Sequence, residues 1–315
     1  MGPADPAGNV TPDVREAELL LETILRSGPS GAPHHVPRAA TRAGLTRGPV
    51  RLRPAMAAVV AAVLVSGAVY AWPGGTPAAR AATPPPLIYH LPANSSADPA
   101  TELEAIARRV ETLPTDGGGG STHLRWREWA LWTRTDSGGT SSKVVPEEFD
   151  LLRTSTTATL KRFLVDQGPG SATQQPAVTT LQDKTPASPD GLRTWLQATT
   201  PGVTGPAGAA EAVHDLVTQR VLTPEQRAAL LRLLAALPGL TTSGDVIDRA
   251  GRAGLAFSAD SAASGLPTRY TFIIDHASGQ LLGQETALTE TAGKLNVAIP
   301  SVIGYDAYLD ARTTP

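Results

Sequence analysis

Cysteine is absent from the 315 residues, and there are four lysines against 23 arginines and few aromatic side chains. Without cysteine there is no disulfide framework, no thiolate nucleophile and no cysteine-ligated zinc. The sequence also lacks a Gly-x-Ser-x-Gly elbow, a His-Glu-x-x-His helix and a Gly-x-x-x-x-Gly-Lys phosphate loop. The glycine run 117–120 has no lysine and no strand-then-helix setting, so it reads as a linker. Asp275 and His276 are neighbours in a turn, where side chains seldom face each other usefully. Asp245 and Asp248 read equally well as paired acids or as solvated strand ends. His34 and His35 have no further ligands beside them. No enzyme activity, catalytic residue, cofactor or metal is therefore expected. A net charge of −2 likewise gives no expectation of nucleic-acid binding, and the arginine cluster at 26–53 is better explained by topology and anionic headgroups.

One long uncharged run is present. Ala55 to Trp72 holds 18 residues without a charge and ends with Tyr70 and Trp72. As a helix it reaches about 27 Å, close to a hydrocarbon core of about 30 Å. Residues 26–53 carry six arginines and no acid, which places the N-terminus in the cytoplasm and the larger part outside. Two other readings exist. A cleavable signal peptide would need a lead shorter than 54 residues, although Ala79-Arg80-Ala81 has the small-x-small form of a cleavage site. A buried soluble helix would leave the basic flank without a role. The expectation is an anchor at 55–72 between a cytoplasmic segment 1–54 and, after a Pro-rich spacer 73–88, an outer domain 89–315.

The cytoplasmic segment contains TPDVREAELLLETILRS, with Thr11 or Asp13 as cap and Gly28 as stop. Val14, Ala17, Leu21, Ile24 and Leu25 form an apolar stripe at helical spacing. The rest of 28–54 is Pro-, Gly- and Arg-rich and cannot cover it. The stripe lies on the membrane, pairs with another copy, docks on a partner through Val14, Leu21, Ile24 and Leu25, or belongs to a transient helix.

The outer region alternates helices and strands. Asp98-Pro99 starts a helix with Leu103, Ile106, Ala107 and Val110 inward. LRWREWALWT then pairs as a hairpin through Asp136-Ser137-Gly138-Gly139 with Lys143-Val144-Val145, although Trp126, Trp129 and Trp132 also stand at helical spacing. Those tryptophans suit either ligand stacking or a sheet core. FDLLRTSTTATLKRFLV continues the meander, and 166–187 reads as a loop. Helices follow from Ser188-Pro189-Asp190, over about 207–220, and from the capping box Thr223-Pro224-Glu225-Gln226. His214 falls at the edge of the second helix's stripe and reads as a surface residue. RYTFIID, a turn at Asp275–Gly279, LLGQETAL and KLNVAIP are expected as antiparallel strands. The sum is an α+β fold, an antiparallel sheet covered on one face by helices.

The segment GDVIDRAGRAGLAFSADSAASGLPTRYTFIIDHASGQLLGQETA resembles the end of a family of uncharacterised actinobacterial membrane proteins. These share a basic lead, one span, a strand resembling LRWREWALW and a helix resembling TPEQRAALLRLLAALPGL. The likeness covers most of the chain and is specific at residues 222–286. Such proteins are often encoded beside an extracytoplasmic-function sigma factor, so the resemblance implies an envelope sensor or regulator coupled to a sigma factor or similar cytoplasmic partner. It supplies no catalytic residues, and a zinc-binding anti-sigma domain lacks its cysteines here. Separately, IIDHASGQLLG is similar to lipoprotein-carrier-type domains, which implies as an alternative a lipid or other apolar ligand on the sheet.

Overall fold

The computed structural model describes residues 80–91, 98–115, 120–136, 139–165, 172–177 and 184–314. The stripe at Val14, Leu21, Ile24 and Leu25 and the span at 55–72 lie outside them. Among the described residues no helix is long and apolar enough to cross a membrane.

Ten strands make one antiparallel sheet: β1 (Tyr89–His90), β2 (Ser121–Asp136), β3 (Gly139–Arg153), β4 (Ala158–Leu164), β5 (Thr173–Pro176), β6 (Thr241–Ile247), β7 (Ala253–Ser261), β8 (Thr268–Ile274), β9 (Leu281–Leu288) and β10 (Ser301–Thr314). Their order is β1-β6-β7-β8-β9-β10-β2-β3-β4-β5. Two meanders, β2–β5 and β6–β10, are thus welded along β10 and β2. Four helices, α1 (Pro99–Glu111), α2 (Pro189–Gln197), α3 (Pro206–Gln219) and α4 (Pro224–Ala235), precede the first meander or lie between the two.

Local chemistry fixes the helix starts. Asp98 accepts from the Thr101 amide at 3.1 Å, Ser188 accepts from the Gly191 amide at 3.3 Å, and Thr223 with Gln226 forms the reciprocal capping box. The helices bury Leu103, Ile106, Val110, Leu192, Leu196, Val213, Leu216, Leu231 and Leu234 against one sheet face. That face presents alternate strand residues: Leu124 and Trp126, Leu151, Leu255 and Phe257, Tyr270, Phe272 and Ile274. Each fully buried leucine or phenylalanine contributes roughly 1.5–3 kcal/mol. Arg232 of α4 reaches both Glu104 and Glu111 of α1, joining the two helices at the surface.

The opposite face is also partly covered. Val246, Ala256, Ile273, Leu282, Val302, Tyr305 and Ala307 pack with Leu87, Tyr89 and Trp129. Residues 80–88, the described part of the expected spacer, run along the sheet: the Ala81 amide donates to Asn296 O at 2.8 Å and Arg249 Nη2 donates to Pro85 O at 2.7 Å. A proline-rich segment has carbonyls but few amides, so an arginine takes the place of a strand ladder. Arg249 also lies over the rings of Trp129 and Tyr305, 5.9 and 5.0 Å from their centres, and bonds Glu285 at 2.7 Å.

Three details differ from expectation. KLNVAIP forms no strand beyond a bridge of Val297 with Ala81, because both neighbours of β9 are already taken, by β8 and β10. The last strand is instead SVIGYDAYLDARTT. The expected loop 166–187 contains the short edge strand β5.

Candidate functional site

Most of the helix–sheet interface is apolar. It becomes polar where α3 crosses β2 and β10. Glu128 follows Trp126 by two residues on β2 and so shares its face. Asp306 takes the same face of β10, beside Gln284 of β9 and across from Glu128 in the β10–β2 ladder. His214 comes down from α3, with Nε2 3.4 Å from Glu128 Oε1 and Nδ1 3.4 Å from Asp306 Oδ2. The hydroxyl of Tyr308 is also 3.4 Å from His214 Nδ1 and accepts from Gln284 Nε2 at 2.6 Å. The Trp126 indole N–H donates to Glu128 Oε1 at 2.7 Å, and its ring stacks on Phe149 with centres 5.0 Å apart. Glu147, directly opposite Glu128 on β3, is bonded by Arg162.

The electrostatics follow from this crowding. Burial opposes a charge on His214, but Asp306, through charge and hydrogen bonding, and Glu128 outweigh it and raise its pKa to about 9. Burial raises Glu128, with Asp306 adding to the effect and His214 offsetting part of it. Burial also raises Asp215 and pushes Tyr308 well above the usual phenol range. Among the described residues, the carboxyl groups of Glu128, Glu147, Asp215 and Asp306 share this seam with the Arg162 guanidinium and the His214 imidazole. Such a group can hold a proton or a cation. Donor atoms of Glu128, His214 and Asp306 all lie within 4.8 Å of one another.

A second polar feature occupies the open face at the β10–β2–β3–β4–β5 end. A hollow of about 470 Å³ is lined by His123, Asp150, Leu152, Thr159, Lys161, Gln174, Arg312 and Thr314. His123 Nε2 lies 3.3 Å from Asp150 and its Nδ1 lies 3.2 Å from Asp310, while Arg125 bonds Glu148 at 2.6 Å. Lys161 has no ion-pair partner among the described residues, so the hollow offers a free cation. By contrast, the cavity under α3 and α4, lined by Trp126, Leu230, Leu281 and Tyr308 among others, measures about 70 Å³.

The sequence-predicted residues are divided by this geometry. Trp126 is buried beneath the helices, Trp129 lies on the opposite face against Tyr305, and Trp132 is 54% exposed towards the hairpin end. Strand alternation puts Trp126 and Trp132 on one face and Trp129 on the other, so the three form no common stacking surface. Val14, Leu21, Ile24 and Leu25 are outside the described residues. His214, read as a surface residue, belongs to the polar seam. Asp248 is no solvated strand end: its buried carboxylate accepts from the Ala250 and Arg252 amides and from the Arg252 guanidinium. Glu128 was missed although it carries a signal, since it stands in phase with the inward Leu124 and Trp126. Asp306 was missed with its strand.

No protein-family profile matches the chain, and no curated protein matches it. Among solved structures, a domain described as an outer membrane lipoprotein-sorting protein from Vibrio parahaemolyticus is 13% identical, with 68% of this chain and 92% of that one covered at a TM-score of 0.21. The GphF dehydratase 1 is 11% identical, with 69% and 84% covered at a TM-score of 0.15. TM-scores this low establish no shared fold. The chain is similar to these proteins only weakly.

Proposed function

We propose that the chain is a non-enzymatic envelope sensor. Its α+β domain stands outside the membrane and takes a small acidic ligand on the open face of the sheet. A span at 55–72 joins it to a cytoplasmic helix that holds a regulatory partner such as a sigma factor through Val14, Leu21, Ile24 and Leu25. The observation that carries the ligand reading is the 470 Å³ hollow with Lys161 at its wall, without an ion-pair partner among the described residues, a volume within the usual range for small-molecule sites of about 300–1,000 Å³. The polar lining of His123, Thr159, Gln174 and Arg312 favours binding, and no nucleophile–base–orienter set among them favours catalysis. A lipid or other apolar ligand fits less well, because the helix–sheet side is filled by side chains and would have to open to admit one.

The coupling is tested by recovering the chain from native membranes in mild detergent and identifying the proteins that accompany it. A cytoplasmic regulator is expected with the intact chain and not with Leu21→Asp/Ile24→Asp. Identical sets from the two would overturn the regulator reading. For the hollow, Lys161→Gln is expected to abolish the response to the ligand while leaving that recovery unchanged.

A further inference from the structure

We propose that Glu128, His214 and Asp306 form a binding site for a divalent transition-metal cation at the junction of α3, β2 and β10. The proposal concerns the covered face of the sheet and is independent of the hollow on the other face.

The donor set is one imidazole and two carboxylates, a combination suited to zinc, manganese or ferrous iron. Two donor atoms held at about 2.1 Å by one tetrahedral ion stand about 3.4 Å apart. One donor atom from each residue can be chosen so that all three lie within 4.8 Å of one another; the 3.4 Å contacts of His214 are made by different nitrogens, Nε2 to Glu128 and Nδ1 to Asp306, so one nitrogen must turn towards both carboxylates. Small side-chain rotations therefore close the site. The three residues come from a helix and two neighbouring strands, so their positions are set by the core beneath them.

Charge points the same way. Among the described residues the carboxyl groups of Glu128, Glu147, Asp215 and Asp306 outnumber the two cations beside them, His214 and Arg162, and burial disfavours a charge on Glu128 and Asp215. Uncompensated charge in a partly dehydrated place is costly, and a dication removes that cost. The surrounding polar groups match the outer support of a metal centre. The Trp126 N–H bonds Glu128 Oε1, the same oxygen that faces His214 Nε2, and so fixes the orientation of this carboxylate. Gln284 is only 4% exposed, and its amide reaches Tyr308 Oη beside His214. Its Oε1 is buried without a partner. A buried orphan acceptor costs about 1–3 kcal/mol, and a water held by the ion would donate to it.

The test uses the full chain in mild detergent, stripped with EDTA and titrated calorimetrically with Zn²⁺ alone and with Mn²⁺ alone. His34→Ala/His35→Ala removes the histidine pair near the N-terminus as a competing site, and His123→Gln controls for the outer face. One ion per chain is expected in the parent and in both controls. Asp306→Asn, which keeps shape, and His214→Gln should each weaken binding by about 100-fold or more. Absence of stoichiometric binding, or binding that survives both Asp306→Asn and His214→Gln, would each overturn the proposal. None of these results alters the partner recovery or the Lys161→Gln response on which the sensor reading rests.

Discussion

Asp248→Asn tests whether the turn between β6 and β7 is held by a buried ion pair. Asp248 Oδ1 accepts from the Ala250 and Arg252 amides at 2.9 and 2.8 Å. Oδ2 accepts from Arg252 Nε and Nη2 at 2.9 and 2.6 Å. The same guanidinium donates to Tyr308 O at 2.6 Å and Leu282 O at 2.7 Å, so it ties this turn to β9 and β10. Asparagine keeps the two amide bonds but sets its NH₂ group against the arginine donors. Breaking a buried pair costs about 3–5 kcal/mol. Because Arg252 is 31% exposed while the Asp248 side chain is fully buried, water softens the loss, and we expect about 3 kcal/mol. With a urea dependence of about 3 kcal/mol/M, the midpoint should fall by about 1 M. Tryptophan fluorescence of the chain in mild detergent follows the transition. Combining Asp248→Asn with Arg252→Met should show a coupling of about 2 kcal/mol. A midpoint shift under about 0.3 M for Asp248→Asn would refute the assignment.

Leu231→Ala removes a fully buried side chain from α4 and should cost about 3 kcal/mol in the same assay. A loss below about 1 kcal/mol would mean that α4 is not packed on the sheet as described. Gly279 has φ +64°, and an added Cβ would lie 2.6 Å from Val110 Cγ2. Gly279→Ala should therefore cost about 1–3 kcal/mol, strain and contact acting together, and a neutral effect on the urea midpoint would contradict it. The Arg232 hydrogen bonds lower the pKa of Glu104 and Glu111 below the ordinary 4.5. Depressed acids stabilise the folded state above their unfolded value and lose that contribution as pH falls through the folded one. The urea midpoint should accordingly decline below pH 4.5, and less steeply in Glu104→Gln/Glu111→Gln. Equal declines in parent and variant would refute that link.

The helices were legible because their signals are local. Asp98, Ser188 and Thr223 cap in the sequence and in the structure, and apolar spacing found the buried face of each helix. The β2–β3 hairpin was legible for the same reason, with Asp136 and Gly139 paired at its end. β10 was not, because two register shifts, between Val302 and Gly304 and between Tyr308 and Asp310, break its alternation. KLNVAIP alternates cleanly yet has no free sheet edge to join, which no local pattern reveals. The polar seam was hidden for a topological reason. Tyr308 and His214 are 94 residues apart in sequence, and they meet only because β10 returns to lie between β9 and β2. Trp126, Trp129 and Trp132 stand at helical spacing too, but the hairpin expected there is the one observed, and a strand sends the middle ring to the other face.

The proposed placement of residues on either side of a membrane is tested most directly by thiol labelling, because the sequence has no cysteine of its own. Asn9→Cys and Glu290→Cys, made singly, would be exposed to a membrane-impermeant maleimide on intact cells and again after lysis. The sensor reading predicts that Glu290→Cys is labelled in intact cells and Asn9→Cys only after lysis. Labelling of Asn9→Cys in intact cells, or protection of Glu290→Cys until lysis, would contradict it.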